Sequence, residues 1–269
     1  MINKNAPIGI FDSGIGGLTV VKEVRALLPH EDIIYVGDTA RVPYGSRATE
    51  EVKCFMHQTL RFFAKQKVKM VVFACNTMTA CGFSEAASMY QFLLVPMNSA
   101  VKDAIEVSPT KKIGVIATQG TIMNQMHSRA AEKIDAEVEI YAMACPSFVP
   151  LIEGGKIRGN ELEQVTSEYM NEFRGSGIDS LILGCTHYPL ICDILQKYVG
   201  SQIHLINPAK STAMDAMNLL QSEQLLTAKE SMGDLTMCFS ADIEKAKQMT
   251  HLILNTDKAK FNLINLADY

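Results

Sequence analysis

The chain has 269 residues, 48% hydrophobic and 20% charged, with 25 basic against 29 acidic side chains and a formal net charge of −4. This describes an ordinary globular protein with apolar side chain enough for one large or two small cores. No basic block or stripe points to nucleic acid, and no run of about 18 apolar residues points to a membrane span. The opening MINKNAPIGIF has no apolar leader segment, so a cytoplasmic location is expected.

Ile8 to Phe11 is a short apolar strand that runs into Asp12-Ser13-Gly14-Ile15-Gly16-Gly17, followed by a helical pattern from Leu18 to Leu28. Ile33 to Gly37 is a second strand, and its exit Asp38 to Ser46 is a loop of turn residues. The spacing of Val52, Phe55, Met56, Leu60, Phe63 and Ala64 predicts a helix over 49–67. Val71 to Ala74 is the third strand, a helix is expected near Phe83 to Tyr90, and Leu93 to Pro96 is the fourth strand. The pattern then repeats, its first strand at an offset of about 105 residues, from Ile8 to Ile113. Ile113 to Ala117 corresponds to Ile8 to Asp12, Val138 to Ala142 to Ile33 to Gly37, Leu181 to Leu183 to Val71 to Phe73, and Gln202 to Ile206 to Phe92 to Val95. Four ordered matches predict two similar α/β halves with helices between mainly parallel strands. After Ile206 come a helix at 212–223, a strand near 235–239 and a last helix at 242–254, and the crossing points between halves are expected near 98–112 and Asn207.

Seven cysteines occur, at 54, 75, 81, 145, 185, 192 and 238, with no C-x-x-C pair and no zinc-finger spacing, so reduced thiols and no metal are expected. Cys54, Cys192 and Cys238 read as small buried hydrophobes, and Cys81 falls near the expected helix start. Cys75 and Cys185 differ from these. Each follows an apolar strand and a small residue, in Ala74-Cys75-Asn76-Thr77 and Gly184-Cys185-Thr186-His187. Strand carboxyl ends are where ligands bind in open α/β sheets, and amides at the following helix starts can hold a carboxylate. A thiol near a cation or helix start is a usable acid or base near neutral pH, as is the His187 imidazole.

The plain alternative is that both cysteines merely pack. A second alternative is a cysteine nucleophile assisted by His187 or Asp12, which leaves the other cysteine unexplained. Stepwise inversion at a carbon uses both, because a proton leaves one face and another arrives on the opposite face. The Gly14-x-Gly16-Gly17 turn lacks the third glycine of a dinucleotide fingerprint, since Thr19 stands at that position, and Asp12 is poorly placed for a pyrophosphate.

The stretches FDSGIGG (11–17), GDTARVPYG (37–45), ACNT (74–77), CPSFVPLIEGG (145–155) and LGCTHYPL (183–190) closely resemble the glutamate racemases, over about residues 8–206. The related aspartate racemases usually carry an acidic residue where His187 stands here. The resemblance implies two α/β domains facing across a central cleft, the first discontinuous (1–97 with 208–269) and the second at 98–207. It implies interconversion of L- and D-glutamate without a cofactor, supplying D-glutamate for peptidoglycan, with Cys75 acting on D-glutamate and Cys185 on L-glutamate. By the same resemblance Asp12 and His187 assist the thiols, and Glu153 tunes His187. Ser13, Tyr44, Gly45, Asn76, Thr77 and Thr186 hold the substrate with Asp12 and His187, and Thr118 and Thr121 serve the α-carboxylate. A homodimer is also implied, as are an aspartate racemase or a non-catalytic amino-acid-binding regulator as alternatives. The chain departs from the family pattern at Asn207-Pro208, usually Asp-Ser, at Met97-Asn98-Ser99, and at Met78 and Cys81.

Overall fold

The structure, a computed structural model, describes residues 2–269. Its strands are β1 (Ile8–Asp12), β2 (Ile33–Gly37), β3 (Met70–Phe73), β4 (Leu93–Val95), β5 (Lys112–Ala117), β6 (Glu139–Ala144), β7 (Ser180–Gly184), β8 (His204–Ile206), β9 (Leu235–Phe239) and β10 (Lys260–Leu263). The helices are α1 (Leu18–Leu27), α2 (Thr49–Gln66), α3 (Asn76–Ala86), α4 (Val101–Val107), α5 (Gln119–Asn124), α6 (Met126–Ile134), α7 (Phe148–Glu153), α8 (Asn160–Asn171), α9 (Cys192–Val199), α10 (Ala209–Ser222) and α11 (Ile243–Leu254). The chain forms two compact units, Met1–Asn98 with Ala209–Tyr269, and Ser99–Pro208.

The first unit is built on a six-stranded sheet in the order β10-β9-β2-β1-β3-β4, and every pairing in it is parallel. β1 is buried along its whole length, as a central strand covered on both faces must be, and this is why it reads as a continuous apolar run. Ile8 and Ile10 enter one core with Val20, Val24 and Ala213, and Phe11 enters the other with Phe63, Phe73 and Met56. Gly9 makes room for this second layer: a Cβ there would stand 2.8 Å from the Phe63 ring of α2. The helix α2 carries Glu50 and Glu51 in its first turn and ends at Lys67 in a left-handed conformation (φ 55°).

The second unit holds a four-stranded parallel sheet in the order β6-β5-β7-β8. That is the order of β2-β1-β3-β4, so the four strand matches read from sequence correspond to the same topology twice. The register differs in detail: Ile8 lies opposite Ile33, but Ile113 lies opposite Ile140, two residues further along than the repeat spacing predicts.

Three expectations are corrected. The helix expected near Phe83 to Tyr90 is α3, which begins at Asn76 and ends at Ala86. Its first turn buries Asn76 and Thr77, so apolar spacing does not mark its start. β10 was not expected, and it reads poorly because an edge strand paired only with β9 has largely exposed side chains. Cys54 is exposed on α2 and Cys192 is only half-buried, whereas Cys238 is buried as expected. The helix α4 also lies within the stretch read as a crossing segment. Among the described residues no helix is long and apolar enough to cross a membrane.

Candidate active site

In a sheet ordered second-first-third-fourth, the connections leave the first and third strands in opposite directions, and the crevice beyond their carboxyl ends is the natural ligand site. In the first unit those ends belong to β1 and β3. Phe11 pairs with Phe73, and Ala74 N donates to Phe11 O at 2.9 Å. Continued by one and two residues, this register sets Asp12 level with Ala74 and Ser13 level with Cys75. Cys75 has extended backbone and caps α3. Asp12, Ser13, Cys75, Asn76 and Thr77 are all buried.

The glycine-rich turn supports Asp12. Gly14 N donates to Asp12 Oδ1 at 2.8 Å, and the Tyr35 hydroxyl donates to Gly14 O at 2.7 Å. A Cβ on Gly17 would stand 2.5 Å from the Cβ of Asp12, so only glycine lets α1 start this close. Asn76 is the most informative side chain here. Both its Nδ2 and its Oδ1 are buried without a hydrogen-bond partner. Buried amides are nearly always satisfied in folded proteins, which sets this one apart.

Tyr44 is buried in the same cluster as Cys75, and its hydroxyl donates to Asp38 Oδ2. Burial, then the adjacent Asp38 carboxylate, holds the phenol well above its ordinary range. Gly45 follows it in a loop that contains a cis Val42-Pro43 bond.

In the second unit Ala117 pairs with Gly184, so the next residues, Thr118 and Cys185, stand level. The Thr118 side chain caps α5 by accepting from Thr121 N, and the two threonine hydroxyls lie 3.0 Å apart. Cys185 Sγ lies 3.7 Å from His187 Nδ1, and His187 Nε2 lies 2.6 Å from Glu153 Oε1. Burial alone would discharge the imidazole, but its contacts with Cys185 and Glu153 outweigh burial and raise its pKa well above the ordinary value. The ring is thus held between the Glu153 carboxylate and the Cys185 sulfur. Glu153 ends α7, and Gly155 behind it takes φ +80°, which lets the chain turn away. Cys145 lies behind this chain: its carbonyl accepts from the Tyr188 hydroxyl at 3.1 Å, and burial, then Cys185, pushes its thiol pKa up. Cys145 is accordingly a neutral thiol.

Each candidate residue thus falls at the end of β1 or β3 or in the Tyr44-Gly45 loop that follows β2, or at the end of β5 or β7 or at Glu153. Sequence reading missed Asp38, which collects three side-chain donors, and Ser240, one of those donors. The signal for Asp38 was present, since it follows β2 much as Ser13 follows β1. Ser240 had none, because its partner lies 202 residues away.

A family model described as Asp/Glu/Hydantoin racemase matches residues 18–216, a span that contains both site cysteines. The chain is 42% identical over 220 residues to a glutamate racemase of Thermoanaerobacter sp. (strain X514), covering 82% of this chain and 83% of that protein. It is 35% identical over 263 residues to glutamate racemase 2 of Caldanaerobacter subterraneus subsp. tengcongensis, 98% of each. The crystal structure of a glutamate racemase from Francisella tularensis in complex with D-glutamate superposes with a TM-score of 0.90 at 33% identity, covering 99% of this chain and 100% of that one. The two-domain α/β fold together with these relatives defines an enzyme of the racemase class. The chain belongs to the Asp/Glu/hydantoin racemase family.

Proposed function

We propose that the protein is a glutamate racemase that inverts the α-carbon by two-thiol proton transfer without a cofactor. The observation that carries this reading is the ordered chain Cys185–His187–Glu153, matched at the other switch point by Cys75 after β3, Asp12 at the end of the adjacent β1 and an unsatisfied Asn76 amide. In the reaction one cysteine, as thiolate, takes the α-proton. The electron pair is held on the α-carbon and its carboxylate, and the other cysteine gives its proton to the opposite face. The two thiols exchange protonation states, so the next turnover runs in reverse or follows a reset.

His187 assists the proton transfers of Cys185, which its Nδ1 faces, and Glu153 on Nε2 orients the ring and favours its protonated form. Asp12 supports the proton transfers of Cys75. Asn76, Ser13, Thr77, Thr186, Tyr44, Gly45, Thr118 and Thr121 bind the ammonium and carboxylates. Thiolates are weak bases for a carbon acid, so fixed donors around the α-carboxylate supply most of the barrier reduction. The preference for glutamate over aspartate rests on the relatives. We place the activity in the cytoplasm, in a homodimer, with D-glutamate going to peptidoglycan.

Reaction in deuterium oxide tests the mechanism. Early product is expected to carry deuterium at Cα while the remaining substrate stays protiated, since the thiol that delivers to the product has exchanged with solvent and is not the one that took the substrate's proton. Conversion of aspartate but not glutamate would move the substrate assignment. Binding of glutamate with no exchange and no conversion would make the protein a binding module.

A further inference from the structure

Asp38 lies one residue beyond β2 and is 1% exposed, yet the proposed chemistry does not use it. Its Oδ2 accepts from the Tyr44 hydroxyl and from Arg41 Nε at 2.6 Å, and its Oδ1 accepts from Ser240 Oγ at 2.7 Å. Ser240, just past β9, also accepts from Ala40 N at 2.9 Å. Next to it, Thr39 Oγ1 donates to Ala241 O at 2.8 Å and accepts from Ala241 N at 2.9 Å. The loop that begins at Asp38 is thus fastened, at its root, to a segment 202 residues later. Arg41 is itself fixed, with its guanidinium 3.9 Å over the Phe55 ring and Nη1 at 2.5 Å from Gln58 Oε1.

We infer that Asp38, set by Ser240, is a positioning residue for the substrate loop: it fixes the Tyr44 hydroxyl and through it the place of Tyr44-Gly45. The inference rests on the reading that this loop holds a carboxylate of glutamate. The single Tyr44 hydroxyl proton is committed to Asp38, so the phenol cannot donate it to a substrate, and what the loop offers an anion is its backbone N–H groups. The Asp38 charge would oppose an anion nearby, but Arg41 neutralises it and three donors cover its oxygens. Ser240 comes from the part of the chain that follows the second unit, so this side of the site is completed only when that segment has folded back onto the first unit.

Steady-state kinetics from both enantiomers on Asp38→Asn, Ser240→Ala and Ser240→Thr, with thermal melts alongside, test this. Loss of one charge-assisted hydrogen bond in Ser240→Ala or Asp38→Asn is expected to raise KM about tenfold while kcat stays within about twofold. Ser240→Thr keeps the hydroxyl and is expected to restore the wild-type KM. A Ser240→Ala protein with a lowered melting temperature but unchanged KM would overturn the inference, as would a fall in kcat at constant KM. If Asp38→Asn does not fold, the Ser240 pair decides. Active wild type with an unmoved KM in the variants overturns this inference alone, whereas a wild type that turns over no glutamate overturns the functional reading and this inference with it.

Discussion

In the first unit the central strand β1 ends in Asp12, and its counterpart in the second unit, β5, ends in Ala117. The converse holds at the third strands. Two residues beyond Cys185 stands His187, and two residues beyond Cys75 stands Thr77. The same four-strand frame therefore places a thiol at the same point twice, but the ionisable neighbour has moved. It comes from the adjacent strand end in one unit and from the thiol's own loop in the other. The kind of group has also changed, from a carboxyl to an imidazole, and the imidazole meets a carboxylate of its own, Glu153, at its far nitrogen. The difference teaches that the switch point specifies position, while, on the proposed mechanism, the partner's identity sets which proton transfer each thiol favours. A reaction symmetric in outcome can be run by a site that is asymmetric in charge.

Replacing the partners separately breaks the comparison most strongly. Removing a positioned acid/base group costs about 10²–10⁴ in rate, so His187→Asn is expected to lower kcat/KM by about 10³ and Asp12→Asn by about 10². Because the enantiomers have equal free energy, kcat/KM must fall equally in both directions, and the asymmetry has to be read elsewhere. With α-deuterated substrates, His187→Asn is expected to raise the isotope effect mainly from L-glutamate and Asp12→Asn mainly from D-glutamate. The same pattern in both variants would show that the partners do not serve separate thiols.

A gentler change sharpens the second unit's half of the comparison. Glu153→Gln keeps a hydrogen-bond partner for His187 but removes the anion, and about a tenfold loss in kcat/KM is expected. Glu153 helps to hold the His187 pKa up, so without it the imidazolium is lost at lower pH. The alkaline limb of the pH–rate profile is expected to move to lower pH, and an unmoved limb would remove Glu153 from the account.

Two histidines of the second unit also give stability opposite pH dependences. His187 has a raised pKa, so its contribution is complete below its unfolded value, near 6.5, and is lost as pH rises through the folded value. His127 is buried, its Nε2 has no partner, and burial lowers its pKa to about 4. It stays neutral in the fold while the unfolded chain takes a proton, so its contribution is complete above about 6.5 and lost as pH falls toward about 4, at a cost of roughly 3 kcal/mol. Urea denaturation of His127→Phe at pH 7 and pH 4.5 is expected to show a smaller acid loss than wild type. An equal acid loss would mean that other groups set the acid limit.

The parts of this architecture that were legible in the sequence are those with two buried faces. β1, β3, β5 and β7 are apolar because both sides are covered, and their recurrence, β1 as β5 and β3 as β7, follows from a repeated topology. The strand-end thiols were legible for the same reason, since a polar residue after such a run marks the sheet's edge. β10 was not legible, because an edge strand needs no apolar side chains, and neither was the start of α3, where the buried polar residues Asn76 and Thr77 break the helical pattern. The bond from Asp38 to Ser240 depends on contacts between distant segments, which spacing does not encode.

The most direct test of the central claim is circular dichroism of the purified protein with L-glutamate and then with D-glutamate, no cofactor added, beside Cys75→Ser and Cys185→Ser. Loss of optical activity from both enantiomers is expected, with each substitution slowing it by at least about 10³ because a serine hydroxyl cannot replace the thiol as acid or base. A variant of either cysteine that racemises glutamate at near the wild-type rate would contradict the two-thiol account.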